Sequence, residues 1–167
     1  MPEQQWTVIE TNVLIVANRK SDQANSACIG KCIELLVKVS DEASVVLDRG
    51  GEIFDEYSVY CDYSGEPGTG DEFFVWVHEN KWTSCQLVSI TPREDRGYEE
   101  FPDTPDLAKF DRSDRKFVAT ALTCTPSATI YNAVDSDWSH SALALAAVGV
   151  TVAELCPDCL KPAQSKS

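Results

Sequence analysis

Blocks of apolar residues along this chain switch between short continuous runs and spacings of three and four. The run Trp6-Thr7-Val8-Ile9 meets Glu10-Thr11-Asn12 before Val13-Leu14-Ile15, so residues 6 to 17 are expected to hold a buried strand that turns into a loop or short helix. From Ser26 to Val39, the residues Cys28, Cys32, Ile33, Leu35, Leu36 and Val39 recur at helical spacing and predict an amphipathic helix. Ser44 to Leu47 reads as a strand, Arg49-Gly50-Gly51 as a turn, and Glu52 to Tyr57 as a helix. A glycine-rich loop at Gly65 to Gly70 precedes a helix from Asp71 to Asn80.

Cys85 to Ile90 predicts another strand, and Thr91 to Asp106, rich in Pro, Asp, Glu and Gly, predicts a long loop bordering a substrate path. Ser113 is expected to cap a helix through Asp114, Phe117, Val118, Ala121 and Leu122 that ends at Thr125-Pro126-Ser127. A strand at 128 to 134 follows. Ser136 or Asp137 then caps one small-residue helix through Leu143, Leu145 and Ala147, Gly149 stops it, and Val150 to Leu155 forms a final strand. Strands alternating with helices imply an α/β fold with a mainly parallel sheet, because right-handed crossovers set a helix between parallel neighbours. A single domain over 1–160 with a flexible tail over 161–167 is expected.

A net charge of -13, from 27 acidic and 14 basic side chains, argues against broad adhesion to a polyanion through a basic surface. It does not exclude a nuclease, since divalent cations cancel negative charge where a phosphate sits. The chain has no run of about 18 apolar residues and opens on Met1-Pro2-Glu3-Gln4-Gln5, so no membrane association and a cytoplasmic location are expected. Seven cysteines, an odd number without a secretion signal, predict reduced thiols.

The acidic residues change the picture most. Glu10, Asp55/Glu56, Asp111/Asp114 and Asp135/Asp137 each sit where an apolar stretch ends or a helix begins. In a parallel sheet those places face the ligand-binding crevice. Magnesium and manganese take oxygen ligands and keep several waters, so a few carboxylates from different elements suffice to hold one or two ions. Each acid taken alone is more often a helix cap or a solvated charge. Glu10, set between Ile9 and Val13, is costly to bury unpaired.

In order along the chain, Glu10-Thr11-Asn12-Val13-Leu14-Ile15, Glu56 in Phe54-Asp55-Glu56-Tyr57, Asp114 in Ser113-Asp114-Arg115-Lys116-Phe117, and Asp135-Ser136-Asp137-Trp138 resemble the PIN domains. Gly149-Val150-Thr151-Val152 resembles that family's closing strand, so the likeness spans roughly residues 7 to 155. The resemblance implies a three-layer α/β/α sandwich and a magnesium- or manganese-dependent nuclease acting on RNA. It implies a metal set of Glu10, Glu56, Asp114 and Asp135, with Asp137 auxiliary and all five catalytic. Asn12 would fix the loop or touch substrate; from charge and proximity to Asp114 alone, Arg112, Arg115 and Lys116 are expected to meet phosphate oxygens. A homo-oligomer and an inhibitory protein partner are further expectations. Position 10 carries Glu where the family normally has Asp, and the alternative reading is a PIN-like binding or regulatory domain with weakened catalysis.

Cys156-Pro157-Asp158-Cys159 has the spacing of half a zinc site or of a redox pair, and Cys28 and Cys32 could complete four thiolates. A buried apolar role for the helical pair is the simpler expectation. No Gly-x-Ser-x-Gly elbow, Walker loop or Gly-x-Gly-x-x-Gly fingerprint is present, and His78 and His140 read as surface residues.

Overall fold

Strand β1 (Thr7–Ile9) is wholly buried, which its unbroken apolar run requires. In the computed structural model, which describes residues 5–161, it is followed by helices α1 (Thr11–Ala17) and α2 (Ser26–Asp41), strand β2 (Val46–Asp48), and helices α3 (Glu52–Tyr60) and α4 (Thr69–Asn80). Next come β3 (Gln86–Val88), β4 (Pro92–Arg93) and β5 (Gly97–Tyr98), α5 (Arg115–Thr123), β6 (Thr129–Asn132), α6 (Ser136–His140), α7 (Ala142–Ala147) and β7 (Thr151–Glu154). Of the tail expected over 161–167, residues 162–167 lie outside the described residues, as do residues 1–4. Among those described, no helix is long and apolar enough to cross a membrane.

The fold is mixed α/β around short parallel strands. β6 pairs with β1 on one side and β7 on the other, and β2 pairs with β3. A parallel bridge between Thr7 and Val45, with the Thr7 N–H donating to Ser44 O at 2.8 Å, joins the two sheets at β1 and β2. The carboxyl ends of β1 and β6 therefore lie side by side, with Ile9 opposite Tyr131, and Glu10 and Asp135 leave the sheet at the same edge.

Packing follows the periodicity. Cys28, Cys32, Leu35, Leu36 and Val39 form the buried face of α2, and Phe73, Phe74 and Val77 that of α4. Helices α2, α3 and α4 pack on α1, whereas α5 lies against β1, β2 and β6. The α1–α4 approach depends on missing side chains: a Cβ on Gly70 would stand 2.2 Å from Leu14 O. Gly51, at φ 89°, makes the left-handed entry to α3 that a branched residue resists. Asp48 then accepts from the N–H groups of Glu52 at 2.7 Å and Ile53 at 2.9 Å, fixing the start of that helix.

Several boundaries differ from the sequence expectation. Helix α4 begins at Thr69, two residues early, because Asp71 accepts from Gly68 N–H at 3.0 Å and so caps from within the first turn. The expected loop from Thr91 to Asp106 contains the β4–β5 hairpin. Ser113 is not the cap of α5. Asp111 caps a 3₁₀ turn over Arg112–Asp114 by accepting from Ser113 N–H at 3.0 Å, and Asp114 occupies the N-cap position of α5. The single helix expected after Asp135 is two, α6 and α7, broken at Ser141, and its cap is Asp135 rather than Ser136 or Asp137.

The thiol expectation is also corrected: Cys28 and Cys156 are disulfide-bonded, leaving Cys32, Cys61, Cys85, Cys124 and Cys159 free. The two lie 128 residues apart in sequence and meet only because β7 returns the chain end to the start of α2, which spacing alone does not reveal.

Candidate metal centre

Three of the expected acids converge. Carboxylate oxygens of Glu10, Asp114 and Asp135 lie within 4.8 Å of one another. Each residue is the N-cap of a different helix, α1, α5 and α6 respectively, so three positive helix ends point at one place. Capping and metal binding, which are rival readings of any single acid in the sequence, are compatible here. Glu10 accepts from Asn12 N–H through Oε2 at 2.8 Å, and Asp135 from Asp137 N–H through Oδ1 at 3.0 Å, so each keeps its second oxygen. Asp114 makes no side-chain cap hydrogen bond at all.

The electrostatics follow from burial. Glu10 and Asp114 are each 5% exposed. Burial first, then the charge of Asp114, pushes the Glu10 carboxyl well above its usual range; Asn12 N–H opposes this, and Asp135 and Glu56 reinforce it. Asp114 is pushed up to about 7, by burial first and then by Asp135, Asp111 and Glu56, against the pull of Lys116. Burial also raises Asp135, with Asp137 N–H opposing. A divalent cation would relieve all three, and the hard oxygen donor set suits magnesium or manganese rather than a soft ion.

Asp137 and Asp111, both exposed, form a second close set with Asp114, again within 4.8 Å. Asp114 is thus common to two neighbouring groups. Glu56 stands apart from both: its Oε1 accepts from Lys116 Nζ at 2.8 Å and its Oε2 from the Thr11 hydroxyl. It bridges α1, α3 and α5 at the rim, near enough to raise its neighbours.

The basic residues expected to meet phosphate are occupied by the protein itself. Arg115 is buried, donating to the carbonyls of Phe110, Leu107, Ala108 and Arg96, with its guanidinium 4.5 Å from the centre of the Phe101 ring. It holds the loop ahead of α5. Arg112 donates to Glu94 O at 3.0 Å and Asp95 O at 3.3 Å, and Lys116 Nζ also donates to Ser113 O.

Asn12 fixes the loop. Its Oδ1 accepts from Ala133 and Val134 N–H at 2.9 and 3.1 Å, and its Nδ2 donates to Asn132 Oδ1 at 2.7 Å. Asn132 and Glu154 are the residues that sequence reasoning missed. Fully buried Asn132 donates to Asp135 O at 2.8 Å and to Glu154 Oε2 at 2.7 Å, so it orients both the backbone of Asp135 and a further carboxylate at the end of β7. No signal in the sequence marks them: Asn132 and Glu154 become neighbours only through the register of β6 and β7.

Compared with known protein families, with curated proteins and with solved structures, the chain gives no match.

Proposed function

We propose that the chain is a PIN-like nuclease that hydrolyses phosphodiester bonds in RNA with magnesium or manganese, its helices and parallel strands arranged as a three-layer α/β/α sandwich. One observation carries the reading: Glu10, Asp114 and Asp135, far apart in sequence, bring their carboxylates within 4.8 Å in a largely buried pocket. Buried, unpaired acids are unfavourable without a cation, so their persistence together supports a metal role. The ordered motifs support the choice of RNA.

Glu10, Asp114 and Asp135 hold the ion, while Asp111 and Asp137 offer oxygens for a second one beside Asp114. A bound divalent ion supplies polarisation of the phosphodiester and acidification of the attacking water. Asn12 and Asn132 keep the Asp135 loop at fixed distance from Glu10. Lys116 keeps Glu56 turned to the rim. Because Arg115 and Lys116 are buried and engaged by protein groups, the substrate phosphate depends chiefly on the metal for its positive partner, and activity is expected to be metal-dependent.

The test is hydrolysis of single-stranded RNA in manganese by the native chain, Asp114→Asn and Asp135→Asn. Loss of about two orders of magnitude or more in both variants is expected, with Asn at position 135 still able to accept from Asp137 N–H. Equal cleavage by all three proteins overturns the assignment. The engagement of Glu56 by Lys116 and Thr11 favours a second reading, a binding domain with weakened catalysis, for which calorimetry would show manganese binding without turnover.

A further inference from the structure

At the start of α2 a second group of ligand-type residues gathers. The sulfurs of Cys28, Cys32 and Cys156 lie within 4.8 Å of one another. Cys28 and Cys32 are one helical turn apart on the buried face of α2; Cys156 and Cys159 flank a 3₁₀ turn over Pro157–Cys159, closed by Cys159 N–H donating to Cys156 O at 2.9 Å. Burial first, and Cys159 second, push the Cys32 thiol up to about 12. Gln23 Nε2 donates to Cys159 O at 2.8 Å and to Val134 O at 2.8 Å, tying this turn to the loop after β6.

We propose that Cys28, Cys32, Cys156 and Cys159 form a zinc site in the reduced chain, and that the Cys28–Cys156 disulfide is the metal-free, oxidised state of the same cluster. Two sulfurs from a helix and two from a facing turn are the donor set of a structural zinc centre, where Zn–S bonds of about 2.3 Å place sulfurs roughly 3.8 Å apart. Cys28, Cys32 and Cys156 already lie within 4.8 Å of one another; Cys159 lies outside that set and has to swing in from the adjoining 3₁₀ turn once the disulfide opens. A small cleft of about 30 Å³ borders three of the four, Cys28, Cys156 and Cys159, with Lys31 and Asp158 at its edge, while Cys32 lies buried beside it. Cys28 lies in the first turn of α2, its N–H donating to Asn25 Oδ1 at 2.9 Å, so the positive end of that helix opposes the negative charge of a thiolate cluster.

A dithiol reductant opens the disulfide by supplying two electrons and two protons and becomes a disulfide itself. Zinc then displaces one proton from each of the four thiols, giving a centre of net charge -2. Both states join α2 to the segment after β7. The exchange therefore changes the chemistry of the link and not the connectivity of the fold.

The experiment uses the full chain, reduced with dithiothreitol, freed of metal, loaded with zinc or cobalt(II), and passed through gel filtration. One zinc per chain, with the sulfur-to-metal charge-transfer absorption and intense visible bands of tetrahedral cobalt thiolate, is expected. The double variant Cys32→Ser/Cys159→Ser is expected to lose both signals while still forming the Cys28–Cys156 disulfide, which reports that it has folded. Cys61→Ser, outside the cluster, is expected to keep both. A reduced native chain whose cobalt spectrum shows oxygen ligation only, or a double variant that keeps the thiolate signature, overturns the proposal. Binding at the carboxylates gives no sulfur signal, so this result and the nuclease assay are independent.

Discussion

Replacing Asp114 by Asn removes one charge from the buried acidic pocket while leaving shape and volume nearly unchanged. Two ionised carboxylates no farther apart than 4.8 Å repel by about 3.5 kcal/mol or more at an effective dielectric constant near 20. An elevation of Asp114 from 3.8 to about 7 corresponds to about 4 kcal/mol against the ionised form, an upper limit because water entry relaxes the pocket. The sign follows from proton binding. The folded chain holds this proton more tightly than the unfolded one, so the stability that Asp114 contributes is fully present below pH 3.8 and is lost as pH climbs through about 7. Without metal, Asp114→Asn should therefore match the native chain near pH 4 and exceed it at pH 8, by up to roughly 8–16 °C in Tm for a domain of this size. Manganese at about 100 times its Kd should stabilise the native chain by about 2.7 kcal/mol, roughly 5–11 °C, and the variant far less. Thermal unfolding at both pH values, with and without manganese, decides the matter. Parallel pH profiles and equal responses to manganese would refute the idea that Asp114 is a buried, crowded metal ligand.

Asn132→Ala should weaken manganese binding by about 10–100-fold in calorimetry while leaving the far-ultraviolet circular dichroism unchanged, because it frees the Asp135 backbone and Glu154 rather than a ligand. Unchanged affinity would show that the loop needs no such support. Gly70→Ala should lower stability by about 1–3 kcal/mol or more in urea titration, since its new Cβ would collide with Leu14 O and with Asn18, whose side chain joins α1 to α4 through Asp71. A variant as stable as the parent would mean that α1 and α4 separate without penalty.

The residues that announce themselves in the sequence are those whose role is local. The α2 face is legible because five buried residues recur at helical spacing, and Glu10, Asp114 and Asp135 are legible because helix starts favour carboxylates. Asn132 is not, because its partners Asn12, Asp135 and Glu154 are brought to it by sheet register rather than by proximity in the chain. Arg115 misleads for the opposite reason. Beside Asp114 and Lys116 it looks like a phosphate ligand, yet folding wraps the preceding loop around its guanidinium. The Cys28–Cys156 link is likewise invisible until β7 carries the chain back to α2.

Because each acid sits just ahead of a different helix, no local stretch of chain can build the cluster alone; it exists only when the starts of α1, α5 and α6 have been gathered to one point.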